Sequence, residues 1–181
     1  MTEALEPPGT AHAAPLPWDR DAWDLEPDSI ALALRVLTPQ TAGMIMREAF
    51  FGTRRFDDFL TRVGVSSGVL AARLRDLVSE GLLEKRPYQE PGSRVREEYR
   101  LTDKGRGLVP ALVALIDWAD HWLVGPEGST VTVRHRDCDA PVRTGLICAA
   151  GHEVGATRDL VAAPGPAARP AGVEAAASGS G

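Results

Sequence analysis

The residue types best suited to chemistry lie near the end of the chain. His135 and Cys138 are separated by two residues, and Cys148 and His152, nine residues further on, by three. Thiolate sulfur and imidazole nitrogen are zinc donors, and two such knuckles could set four ligands around one tetrahedral ion. The competing reading has no metal: Cys148 is then a small buried hydrophobe. Without metal, residues 131–161 are too short for a core of their own. They must dock on the preceding helix through Val131, Val133, Leu146 and Ile147 as a small β-ribbon. The reading without metal is preferred, so no cofactor is expected, and zinc at His135, Cys138, Cys148 and His152 stays as the alternative. Elsewhere no glycine-rich phosphate loop and no nucleophile motif occurs. Asp57 and Asp58 are adjacent, and neighbours on a helix point to different sides. An enzyme is not expected.

The second chemical feature is basic. The 181-residue chain carries a formal net charge of -5. Between Arg54 and Arg106, however, twelve basic residues face nine acidic ones, so this stretch is +3 and the remainder -8. Local positive charge on an acidic protein is what phosphate neutralisation requires. Arginine and glutamate alternating on helices also describe an ordinary solvated face. Arg73 beside Asp76 and Glu80 fits a surface ion pair equally well. All but two of the basic residues (Lys85 and Lys104) are arginine, a usage expected of a GC-rich bacterial genome.

The elements that must position these residues follow from periodicity. Asp28 or Ser29 opens a helix with Ile30, Leu34 and Leu37 at helical spacing. Thr38 is expected to cap a second helix with Pro39 at its first position. That helix carries Met44, Ile45 and Ala49 and ends at Gly52. A short third helix turns Phe56, Phe59 and Leu60 inward and breaks at Gly64. Ser66 opens a fourth, whose Leu70, Leu74 and Leu77 form one stripe. Two strands, residues 82–86 and 97–101, flank a Pro91-Gly92 turn. Thr102 is expected to cap one long last helix reaching Leu123. Residues 1–25 and 162–181 are rich in proline and small residues and read as unstructured tails. Two cysteines make no disulfide framework, and neither a signal peptide nor a membrane span is seen. A cytoplasmic, nucleoid-associated protein without a membrane partner is expected.

The fold class is therefore mainly α with a small β-hairpin wing (α+β), a winged helix-turn-helix over residues 26–124, with the ribbon at 131–161 appended. A short helix, a turn at Gly64 and a helix opened by serines is the layout that lowers a recognition helix into a major groove. Small and polar residues let that helix approach the bases. The candidate DNA contacts are Arg54, Arg55, Ser66, Ser67, Gly68, Ala71, Arg73, Arg75, Arg94 and Arg96, with Ala72 on the same face. The last helix exposes more apolar surface than one small domain can cover. Ile30, Leu34, Leu112, Leu115, Ile116, Trp118 and Trp122 are the candidate dimer contacts. A winged-helix module that binds protein instead of DNA is the alternative, and it would call for an acidic wing. Neither an effector nor an operator is readable.

Residues 29–123 also resemble a known family. The matching pieces are Leu-Arg-Val-Leu-Thr at 34–38, Ile-Met-Arg-Glu-Ala-Phe-Phe-Gly at 45–52, Arg-Arg-Phe-Asp-Asp-Phe at 54–59 and Val-Leu-Ala-Ala-Arg-Leu at 69–74. Further on come Leu-Val-Ser-Glu-Gly-Leu-Leu at 77–83, Pro-Tyr-Gln-Glu-Pro at 87–91, Tyr-Arg-Leu-Thr-Asp-Lys-Gly at 99–105 and Trp-Ala-Asp-His-Trp-Leu at 118–123. In this order and spacing the chain resembles the HxlR-type winged helix-turn-helix regulators. The resemblance implies a homodimer built by the first and last helices, two recognition helices on a pseudo-palindromic site in double-stranded DNA, and control of neighbouring genes. Many members carry a cysteine just before the first helix, some as a redox sensor. Asp28 stands there here, so that mechanism is not implied. Thr41 stands where many members have tryptophan. Some members carry a second cysteine at the position of Gly151, and a metal-responsive regulator using the His/Cys tail remains the alternative.

Overall fold

A computed structural model describes residues 20–171 of the chain. The described residues divide into two compact units. One runs from Ser29 to Thr144; the other joins the residues up to Asp28 with those from Gly145 onward.

In the first unit, α1 (Ser29–Leu37), α2 (Gln40–Phe50), α3 (Phe56–Val63) and α4 (Ser67–Ser79) precede a hairpin of β2 (Leu83–Tyr88) and β3 (Arg96–Leu101). Two more helices follow, α5 (Asp103–Gly107) and α6 (Val109–Trp122). The hairpin pairs antiparallel from Leu83 opposite Leu101 to Tyr88 opposite Arg96. The order is the mainly α, winged helix-turn-helix arrangement expected. Its core joins Ile45 and Met46 of α2, Phe59 of α3, Leu70, Leu74 and Leu77 of α4, Leu83 of β2 and Leu112 of α6. Phe59 meets the Tyr99 ring edge-on at 6.2 Å between centroids. Each fully buried side chain of this kind is worth about 1.5–3 kcal/mol over exposure. The fold therefore rests on the faces that hold the helix-turn-helix together.

Two helix boundaries depart from expectation. Thr38 does not cap α2. Its hydroxyl donates to the Leu34 carbonyl at 2.6 Å, and so closes α1. Pro39 takes the position before α2, with no side-chain cap. A hydroxyl that can reach the carbonyl four residues back satisfies an orphan acceptor there instead of a donor ahead. The long last helix is also two helices. Thr102 does cap the first, its Oγ1 accepting from Gly105 N–H at 3.0 Å. The chain then breaks at Leu108, with Pro110 in the first turn of α6. Proline has no N–H to give the carbonyl four residues back and its ring crowds that carbonyl, so a helix meeting it is kinked or, as here, broken.

The second unit corrects the reading of the tails. Residues 1–19 and 172–181 lie outside the described residues. Inside the described range, β1 (Trp23–Asp24) pairs antiparallel with β6 (Arg169–Pro170), and Ala171 N–H donates to the Ala22 carbonyl at 2.8 Å. Proline content argues against a core, but an edge ladder needs only every other backbone group. The same unit holds β4 (Leu146–Ile147) and β5 (Glu153–Val154), paired with each other. The expected extension at 131–161 is thus not one piece, since it divides after Thr144. Leu146 and Ile147, expected to dock, are 56% and 68% exposed. In a two-residue hairpin both faces of the strand remain open. Among the described residues no single helix is long and apolar enough to cross a membrane.

Candidate nucleic-acid interface

In the first unit, α4, the hairpin wing and the segment between α2 and α3 present the candidate DNA contacts. The turn between α3 and α4 depends on Gly64, whose φ of 71° is left-handed. A residue with a side chain is strained there. Ser66 then caps α4, its hydroxyl accepting from Val69 N–H at 3.4 Å. Its hydroxyl is thus engaged by the helix end, while Ser67, Gly68 and Arg75 stand exposed. Ala71 and Ala72 are half-buried on the flank of α4. Arg73 is also half-buried, and its guanidinium pairs with Asp76 at 2.7 Å, the surface ion pair its spacing allowed.

A buried polar knot fixes α3 against α2. Glu48 is buried and accepts from Arg47 Nη2 at 2.7 Å and from the Thr53 hydroxyl at 3.3 Å. Thr53, also buried, accepts in turn from Arg62 Nη1 at 2.6 Å. A buried carboxylate is tolerated when its lone pairs are met, and removing one partner would leave it uncompensated.

The wing is held from below. Tyr99 N–H donates to the Arg54 carbonyl at 2.8 Å, which ties β3 to the chain entering α3. Arg55 also reaches into the hairpin. It pairs with Glu90 at 2.7 Å and lies over the Tyr88 ring at 4.8 Å. Glu90 is the chief cause that raises the Arg55 pKa above its ordinary value. Sequence reasoning puts Arg55 on the DNA surface; the structure engages it in bracing the wing. This engagement had no signal in the sequence, because thirty-odd residues separate the partners.

Charge pairing sorts the other basic residues. Lys85 pairs with Glu97, Arg86 with Glu84, Arg100 with Glu98 and Arg106 with Asp103. The Glu97 hydrogen bond is the main influence raising the Lys85 pKa. Arg54, Arg75, Arg94 and Arg96 make no ion pair with an acidic side chain among the described residues. All four are exposed. They sit before α3, on α4, and on the far end of the wing. Two exposed apolar residues lie among them that periodicity did not single out: Val69 at 44% and Val95 at 59% exposure. Val69 directly precedes the leucine stripe, so its outward position was readable. A thymine methyl is the base feature such a side chain suits.

The expected dimer contacts separate into three places. Leu112 is buried in the core. Leu34, Leu115 and Ile116 line an apolar groove of about 410 Å³ between α1, α2 and α6, and Ile30 is 69% exposed. Trp118 and Trp122 line a different cavity, between α6 and residues 131–144.

The histidine and cysteine pairs fall in different units. His135 Nδ1 and Cys138 Sγ are 3.2 Å apart in the first unit. Cys148 and His152 belong to the second unit, where Cys148 N–H donates to the His152 carbonyl at 3.0 Å. Cys148 is exposed, not the buried hydrophobe of the reading without metal. Backbone hydrogen bonds to His152, then Ala150 and Gly151, hold its thiol below the usual range. Among the described residues no three His, Cys, Asp or Glu side chains gather to hold a metal ion.

A helix-turn-helix with a braced hairpin wing defines the class: a DNA-binding regulator fold. The model of the HxlR-like helix-turn-helix family matches residues 36–126. An uncharacterised HTH-type transcriptional regulator of Mycobacterium tuberculosis is 39% identical over 142 residues, 78% of this chain and 88% of its own length. One from Bacillus subtilis is 34% identical over 92 residues, 50% of this chain and 83% of its own. A crystal structure assigned provisionally as a transcription factor superposes with a TM-score of 0.68 at 36% identity, covering 77% of this chain and 96% of that one. A second such factor, from Pseudomonas aeruginosa, gives 0.54 at 32% identity, covering 76% and 92%. The chain belongs to the HxlR-like helix-turn-helix family of transcriptional regulators.

Proposed function

We propose that the protein binds double-stranded DNA sequence-specifically as a homodimer, on a pseudo-palindromic operator, and regulates transcription of nearby genes. The observation that carries this is the set of exposed arginines without acidic partners, Arg54, Arg75, Arg94 and Arg96, on the recognition helix, the wing and the segment between α2 and α3. In a region where most basic residues are neutralised internally, these remain available to phosphate. Ser67, Gly68 and Arg75 of α4 then read bases, with Val69 beside them. Arg94 and Arg96 hold phosphate or the minor groove. Arg55 orients the wing instead of touching DNA. The work is regulatory and not enzymatic, takes place at the nucleoid, and needs no bound metal.

Dimerisation is supported by α1. Its sequence is almost wholly apolar, yet none of its residues is buried within the chain. Seven of its nine residues, Ser29 to Arg35, are exposed, and an apolar helix left open in this way is an interface lacking its partner. A second copy packing α1 and the adjoining groove, through Ile30, Leu34, Leu115 and Ile116, covers it with two-fold symmetry. Recognition helices then fall about 34 Å apart, one turn of DNA.

The test is a salt titration of binding to duplex DNA. Replacing Arg94 and Arg96 by alanine should weaken binding to all sequences and lower the slope of log K against log salt by about 1 for each phosphate left without its arginine. Ser67→Ala and Arg75→Ala should change which bases are preferred. Curves unaltered by all four substitutions would overturn the interface.

A further inference from the structure

None of the candidate DNA contacts lines the cavity between α6 and residues 131–144. It measures about 660 Å³, within the range of small-molecule pockets. Its outer wall is a return of the chain. Val142 N–H donates to the Val133 carbonyl at 2.8 Å, and Arg134 bridges to Pro141. The wall is pinned to the helix by one carboxylate: Asp117 Oδ2 accepts from Thr144 N–H at 2.8 Å and from the Thr144 hydroxyl at 2.9 Å. The pocket is thus a built feature. Val131, Val133 and Val142 supply one apolar side.

The helix side supplies indoles and charge. Trp118 and Trp122 line the cavity with Asp117, Asp120 and His121, and Arg143 enters from the return strand. His121 meets the Trp122 ring edge-on at 4.5 Å. The charged lining therefore holds two carboxylates against one guanidinium. Neither Asp120 nor Arg143 makes an ion pair among the described residues. Indole faces attract cations through their quadrupole. Carboxylates add to that attraction, and the valines and ring surfaces take an apolar body.

We propose that this cavity binds an organic cation with an aromatic or bulky apolar body. Trp118 and Trp122 pack against that body, and Asp120 offsets its charge. Asp117 pins the wall to the helix through Thr144. Ile116 lines both this cavity and the groove beside α1, so an occupant acts on the helix that carries the dimer contacts. That regulatory consequence rests on the DNA-binding reading; the binding itself does not.

The probe is tetraphenylphosphonium, with tetraphenylborate as its anionic counterpart of the same shape. Both are titrated into the full chain without DNA, by calorimetry and tryptophan fluorescence. The cation should bind at least about tenfold more tightly than the borate, a difference of about 1.4 kcal/mol. Asp120→Asn should lose most of that preference, and Trp122→Leu should weaken the cation about tenfold. Both residues lie away from the buried core, and circular dichroism of each variant checks its fold. Equal binding of the two ions, no binding of the cation, or full affinity in both folded variants would overturn the proposal. A DNA titration of the same samples reads the regulatory consequence separately. Cation binding with unchanged DNA affinity keeps the site and rejects its coupling.

Discussion

Gly105→Ala should destabilise the protein, although alanine is the better helix former. Gly105 is buried in α5, where the wing meets the helix that follows it. A Cβ built there would stand 2.2 Å from the Leu82 carbonyl oxygen and 3.1 Å from Leu101 Cδ2. The carbonyl cannot simply withdraw. It accepts Thr102 N–H at 3.1 Å, and the Thr102 hydroxyl holds the same turn by donating to the neighbouring Gly81 carbonyl at 2.5 Å. Relieving the overlap needs a shift of more than about an ångström, which costs about 1–3 kcal/mol as overpacking. Disturbing a hydrogen bond adds about 1 kcal/mol. Helix propensity returns about 1 kcal/mol. The balance is a loss of about 1–3 kcal/mol, which moves a urea midpoint down by about 1 M at an ordinary m-value. Gly107, two residues on, has nothing within 4 Å of a Cβ and no left-handed φ. Gly107→Ala should therefore hold or raise the midpoint, since it adds up to about 1 kcal/mol of stability. Urea unfolding followed by circular dichroism reads both variants. A Gly105→Ala midpoint at or above that of the unmodified protein would refute the close approach.

Two further predictions concern assembly and metal. Light scattering at micromolar concentration should give the mass of two chains, and Leu34→Arg should shift it towards one. A single-chain mass for the unmodified protein, free and on DNA, would contradict the α1 interface. The purified protein should carry no stoichiometric zinc by elemental analysis, and a chelator should leave its circular dichroism unchanged. One bound ion per chain would reinstate His135, Cys138, Cys148 and His152 as ligands.

The helix-turn-helix was legible because its signals are local. The Leu70, Leu74 and Leu77 stripe, left-handed Gly64 and the Ser66 cap each act within about two turns of helix, and all recur in the structure. The break before α6 was missed although Pro110 marks it, because the apolar run across it suggested continuity. What could not be read depends on distant partners. Trp23 pairs with Pro170 from the far end of the chain. Arg55 finds Glu90 and Tyr88 only once the hairpin folds back. Trp118 and Trp122 look like more dimer surface until residues 131–144 return over α6. Periodicity shows that a residue has an apolar environment, but not which segment supplies it.

The central claim is sequence-specific binding by a two-fold dimer. Selection of bound duplexes from a random DNA pool, followed by sequencing, tests it most directly. One enriched motif is expected, an inverted repeat whose half-sites lie about 10 base pairs apart, centre to centre. A pool that shows no enriched motif after successive rounds, or one asymmetric site without a repeat, would contradict it.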